Sequence, residues 1–242
     1  MRGNTLVNMK AIVCITVGIA LSFMLYDASP SKEKKKIPTP VKDTTPKAAT
    51  VRELIKKGEF EKALPLCEKL GDEGTFLKAE IAYFKGNFDA AIKLYRSIPA
   101  DSKFANDALK RMIFIRENRV RQLQEYARAE FLGEKGELGE GIKILRNIAK
   151  DTSLLLADDA LYLIGKFLEK DNKFKQAIKE YKNLINKFPK SSLCPSAYVR
   201  IGEIYETNLN KKEKAIEAYK TFLLKYPKNV MAPFVRKRLE SL

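Results

Sequence analysis

Asp158, Asp159 and Asp171 are the carboxylates whose placement most invites acid–base chemistry. Lys135-Gly136-Glu137-Leu138-Gly139-Glu140-Gly141 is the stretch rich enough in glycine to suggest a phosphate cradle. Simpler roles account for both. The adjacent aspartates fall where a helix begins, and acids there complement the helix dipole; Asp171 falls in a turn. The glycine-rich stretch sits between two helices with no strand before it, and neither a phosphate-binding loop nor a nucleophile elbow occurs. The chain has no histidine. That removes Ser-His and Cys-His pairs, His-ligated zinc and the commonest general base. Cys14, Cys67 and Cys194 are too far apart for a CxxC site. No catalysis, cofactor or metal is expected.

The elements that would have positioned such groups carry a repeated pattern. Leu161, Ile164, Gly165 and Leu168 are followed by Ala177, Tyr181, Leu184 and Pro189. Tyr198, Ile201, Gly202 and Tyr205 are followed by Ala215, Tyr219, Phe222 and Pro227, with Gly202 37 residues beyond Gly165 and one residue inserted in the second copy. Three- and four-residue spacing places each set on one helical face. Gly165 and Ala177 let two backbones approach, Tyr181 fills the space beside them, and the proline closes the second helix. Asp171-Asn172 and Asn208 to Asn210 supply the turns. A pair of this kind cannot cover its own apolar face, so pairs must stack in series.

This pattern resembles the tetratricopeptide repeat. Read back to Val51, it predicts an all-α, TPR-like α-solenoid of about five helix pairs. The first turns at Lys57-Gly58-Glu59, with Cys67 in the place of Tyr181, and the second turns at Gly86-Asn87 and stops at Pro99. The period breaks over Lys103 to Leu132, which could form one long helix jointed at Asn118. Cys67 and Cys194 then belong to units at opposite ends of the array, where neighbours alone touch, so no disulfide between them is expected. Phe234, Val235 and Leu239, with Arg236, Lys237 and Arg238 among them, suit a charged terminal cap. The junction wording, Lys187-Phe188-Pro189-Lys190-Ser191-Ser192 before Ala197-Tyr198 and Lys225-Tyr226-Pro227-Lys228 before Ala232, resembles bacterial envelope TPR proteins of the Tol-Pal coordinator and barrel-assembly lipoprotein type. That resemblance implies an envelope scaffold without catalysis. The chain departs from it in having no lipobox cysteine and no trimerising heptads.

Three segments are therefore expected: residues 1–28 as a membrane anchor, 29–50 as a linker and 51–242 as the repeat domain. Ala11 to Tyr26 is sixteen mostly apolar residues without charge, near the lower limit for a spanning helix and the upper limit for a signal-peptide core. No small-residue cleavage site follows cleanly, which favours an uncleaved single-pass anchor in a bacterial inner membrane. Lys32, Lys34, Lys35 and Lys36 argue for a cytoplasmic domain by the positive-inside rule. The basic, N-terminal placement of the segment argues for export, and an exported domain is the expectation. Four prolines with lysines and threonines make residues 29–50 a semi-extended tether.

Carrying the repeat register over, a partner-binding groove would be lined by Phe76, Glu80, Tyr83, Tyr126, Glu130, Tyr162, Lys166, Val199, Glu203 and Glu206. Phe76, Tyr126 and Tyr162 could form an aromatic ladder for a peptide, or could pack between helices. The Lys and Asn residues of a chaperone-tail carboxylate clamp are missing, so a protein partner of another kind is expected. The net charge of +16 raises polyanion (nucleic acid) binding as an alternative. Against it, the cations are mainly lysines interleaved with glutamates, without the arginines and stacking aromatics of specific readers. Small-molecule substrates and nucleic acid are not expected partners.

Overall fold

The structure, a computed structural model, describes residues 47–118, 121–153 and 155–242. The expected anchor and nearly all of the linker lie outside them, and among the described residues no helix is long and apolar enough to cross a membrane. Those residues are helical, with no strand. In order they are α1 (Ala48–Lys57), α2 (Phe60–Cys67), α3 (Gly71–Phe84), α4 (Phe88–Arg96), α5 (Ala105–Glu117), α6 (Arg121–Lys135), α7 (Leu138–Lys150), α8 (Ala157–Lys170), α9 (Phe174–Lys187), α10 (Cys194–Glu203), α11 (Lys212–Lys225) and α12 (Ala232–Glu240). A π-helical turn, Ile204–Asn208, extends α10.

Antiparallel pairs form from α1 and α2, α3 and α4, α6 and α7, α8 and α9, and α10 and α11. Each turn uses the residue whose backbone it needs. Gly58 closes α1 in the left-handed region at φ 77°, its N–H bonding the Ile55 carbonyl, a geometry that a side chain resists. Asn172 and Asn210 take the same role at φ 56° and 50°, as asparagine does more readily than other residues. The residue inserted between Gly202 and Ala215 is absorbed by the π turn, which lets the left-handed Asn210 follow Gly202 by one residue more than Asn172 follows Gly165.

Within each pair a small residue faces a ring. A Cβ added at Gly165 would lie 2.5 Å from the Tyr181 ring, and one at Gly202 2.3 Å from Tyr219. Both rings are fully buried, and their hydroxyls are tied to glutamates, so neither can swing aside. Gly165→Ala is expected to destabilise by about 1–2 kcal/mol, the cost of overpacking less the better helix propensity of alanine; thermal unfolding reads it directly. Gly141 of the supposed cradle serves packing as well. Phe167 of α8 wedges between Gly133 and Gly141, where added Cβ atoms would fall 2.2 and 2.7 Å from its ring.

Two features depart from a simple array. The stretch expected as one jointed helix is two, α5 ending at buried Asn118, whose side-chain amide donates to the Phe114 carbonyl at 2.9 Å. Its second half, α6, pairs with α7 and also packs against α3 and α1. Phe131 of α6 lies 5.3 Å from Phe84 and 5.2 Å from Phe60 between ring centroids. The first and third pairs therefore touch, contrary to the expectation that only neighbours do, because a large ring on α6 fills the gap beside the α1–α2 turn. Cys67 and Cys194 are both free and buried, and burial pushes both thiols up.

Candidate functional site

Three half-buried clusters of one design run along the helices that would line a groove. In each, a tyrosine from the second helix of a pair donates to a glutamate of the first helix, and an arginine from the next helix clamps that glutamate. Tyr95 of α4 donates to Glu80 of α3, and Arg111 of α5 meets Glu80 through Nε and Nη2 at 3.0 Å each. Tyr181 of α9 donates to Glu169 of α8 at 2.5 Å, and Arg200 of α10 grips both oxygens of Glu169. Tyr219 of α11 donates to Glu206 at 2.8 Å, and Arg238 of α12 bonds Glu206 at 3.0 and 3.1 Å. A guanidinium suits this role because its planar fork matches both oxygens of a carboxylate.

The first cluster is the largest. The Arg111 Nη1 also reaches Glu130 of α6 at 3.1 Å, and Tyr83 donates to Glu130 at 2.6 Å. Burial works against the Arg111 charge, and Glu130 and Glu80 outweigh it, so the guanidinium holds its proton more firmly than usual. Burial, reinforced by the nearby carboxylates, pushes the Tyr83 and Tyr95 hydroxyls well up, so they stay protonated donors.

This packing decides which of the ten anticipated lining residues can meet a partner. Phe76 stacks on Phe104, just before α5, with centroids 5.5 Å apart, and Tyr126 lies 5.3 Å from Phe114. With Glu80, Tyr83 and Glu130 held around Arg111, α5 covers the five anticipated positions on α3 and α6. Tyr83, Tyr126 and also Val199 are buried and are core residues, a correction to the expected lining. Val199 is drawn into the packing around Tyr219 and Phe222. The anticipated ladder resolves into separate pairs, since Tyr162 leans on Tyr181 at 5.4 Å. Glu203 accepts from Arg200 at 2.6 Å, and Glu206 is the clamped member of the third cluster. Lys166 is exposed.

An open depression of about 380 Å³ remains between α8, α9 and α10, lined by Lys166, Glu169, Lys170, Phe174, Arg200 and Asn208 among others. Burial pushes the nearby Glu203 carboxyl up despite Arg200. Because its folded pKa is raised, this group contributes most stability below the unfolded value, about 4.3, and loses it as pH rises through the folded one. Glu203→Gln should therefore melt higher than the parent at neutral pH, by up to about 1 kcal/mol, with the advantage gone in acid.

The three arginines were not anticipated, although a signal was present. Arg200 and Arg238 each stand 11 residues past the closing Pro189 and Pro227, and Arg111 stands 12 past Pro99. The other singled-out carboxylates have local roles: Asp158 and Asp159 open α8, and Asp171 pairs with Lys173 at 2.7 Å. Among the described residues no group of three metal-ligating side chains converges.

Stacked helical hairpins with clamped seams define an α-helical repeat architecture. Residues 159–191 and 196–229 match the family model of the tetratricopeptide repeat; the chain thus carries two tetratricopeptide repeats, α8–α9 and α10–α11. The match is to the repeat and not to any particular protein that carries it. Comparison with the curated proteins returns no match. Repeats of this kind generally bind protein partners and serve as interaction scaffolds.

Proposed function

We propose that the protein is a membrane-anchored, non-catalytic adaptor of the bacterial cell envelope, held in the inner membrane by residues 11–26, with its repeats exported and docking a protein partner. The partner sits over α8, α10 and α12, beside Lys166, Glu203 and the depression at Arg200. One observation carries this choice of half: α5 covers the corresponding surface of α3 and α6 with its own side chains. The open half offers a polar surface whose fixed arginine–glutamate forks are preorganised, which lowers the ordering cost of binding.

The test is site-specific photocrosslinking in cells. A crosslinker at Lys166 should trap a discrete partner, and one at Lys93, exposed on α4, should not. Equal trapping at both, or at neither, refutes the site. A reporter that is active only in the cytoplasm, fused after Leu242, should stay silent; full signal overturns export.

A further inference from the structure

One stripe of the outward surface carries only cations, with no acid among them. In the first two pairs five cations are answered by acids, Arg52 by Glu73, Lys57 by Glu53, Lys62 by Glu59, Lys78 by Glu68 and Lys85 by Glu61, and Lys56, Lys69, Lys93 and Arg96 are exposed beside them. On α9 they are not. Lys175, Lys179 and Lys182 recur at four- and three-residue spacing on the side opposite buried Ala177, Tyr181 and Leu184, so they form one stripe. All three are exposed and have no ion-pair partner among the described residues. The single acid of α9, Glu180, is buried and already committed to Arg146 of α7 at 3.0 Å. That bond also ties α7 to α9; of the α7 lysines, Lys143 pairs with Glu140 at 2.6 Å and Lys150 donates to Asn147 at 3.3 Å. The equivalent outward positions of α2 carry Glu61 and Glu68, those of α4 carry Asp89 with Lys93 and Arg96, and those of α11 carry Glu213 and Glu217 with Lys220. A generally basic coat for solubility would not be interrupted by acids on both sides.

We propose that the outward face of α7 and α9 is an electrostatic docking surface for an anionic lipid bilayer. The face offers lysines, which are compact, strongly hydrated point charges suited to a diffuse field of lipid headgroups. It presents no unpaired arginine and no aromatic ring, the groups that grip nucleic acid. The inference rests on the tethered reading: the linker ahead of α1, residues 29–47, 19 in number, reaches at most about 68 Å, so an anchored domain stays at high local concentration beside the membrane. Docking by this face leaves the opposite, partner-binding side of α8 and α10 open.

The full chain is incorporated into vesicles of phosphatidylcholine alone or of phosphatidylcholine mixed with phosphatidylglycerol. It is then labelled with an amine-reactive, bilayer-impermeant ester and read by peptide mass spectrometry. Flotation with the neutral vesicles tests the anchor separately, since the proposed face has no attraction for them. On anionic vesicles Lys175, Lys179 and Lys182 should label at least about fivefold more slowly than on neutral ones, with Lys62 and Lys85 unchanged and the protection lost in high salt. Flotation only with anionic vesicles, with the same lysines protected, supports the face and refutes the anchor. Equal labelling on both vesicles overturns the docking face, and so does protection by added single-stranded DNA that matches or exceeds protection by the anionic vesicles.

Discussion

Arg111→Met is expected to lower the stability of the repeat domain by about 3 kcal/mol, the lower end of what removing one partner of a buried ion pair costs. For a domain of this size that is a drop of about 10 °C in the unfolding midpoint. Arg111 answers two carboxylates at once, and its side chain is 24% exposed against 13% for Glu80 and 19% for Glu130. Those values place the cluster inside the array with a narrow opening, hence the lower end of the range. Methionine keeps most of the volume and removes the charge, so Glu80 and Glu130 face one another uncompensated. Arg111→Lys should recover little, because one ammonium cannot satisfy the fork to Glu80 and the contact to Glu130 together. Adding Glu80→Gln and Glu130→Gln to Arg111→Met should restore most of the loss, since the amides can still accept from Tyr95 and Tyr83. A midpoint for Arg111→Met within 2 °C or so of the parent would mean that α5 is held by Phe104, Ile115 and Phe114 alone.

The second large effect belongs to Gly74. A Cβ there would stand 1.9 Å from the carbonyl oxygen of Cys67 and 2.8 Å from its carbonyl carbon. These are backbone atoms at the end of α2, so no rotamer change relieves the clash and α2 must move away from α3. Gly74→Ala is expected to cost about 3 kcal/mol, more than Gly165→Ala, where the obstacle is a side chain. The loss should be local. Val51, Ile55, Ala63 and Cys67 bury themselves in a small cluster with Leu77 and Ile81 of α3, and repeat arrays unfold in units when one interface weakens. Hydrogen exchange should show α1 and α2 losing protection while α8 to α11 keep theirs. Uniform protection throughout would show that α2 accommodates the methyl without leaving α3.

Much of this fold was legible because its determinants are close together in the chain. Gly165, Ala177 and Tyr181 announce a helix crossing within 16 residues, and the glycine meets the tyrosine ring as the spacing implies. The turns at Gly58, Asn172 and Asn210 follow from backbone preferences of single residues, and the inserted residue of the last repeat was visible before its π turn was. Residues 103–132 could not be resolved in the same way. Leu109, Ile113, Val120 and Leu123 keep a helical period across the joint, and the period is silent about a break that depends on where α6 can pack.

The groove shows the same limit more sharply. Repeat register correctly places Phe76, Glu80 and Tyr126 on first helices, but register cannot tell a surface from a seam. Only when α5 lies down, with Phe104 on Phe76, Phe114 on Tyr126 and Arg111 between two glutamates, do those positions cease to be surface. By itself, then, the sequence determined the repeated hairpin and its turns, since those depend on periodicity and on the conformational range of individual residues. Tertiary structure alone decided which face stays open, because that depends on partners from different helices, 12 to 31 residues apart, whose meeting no local period records.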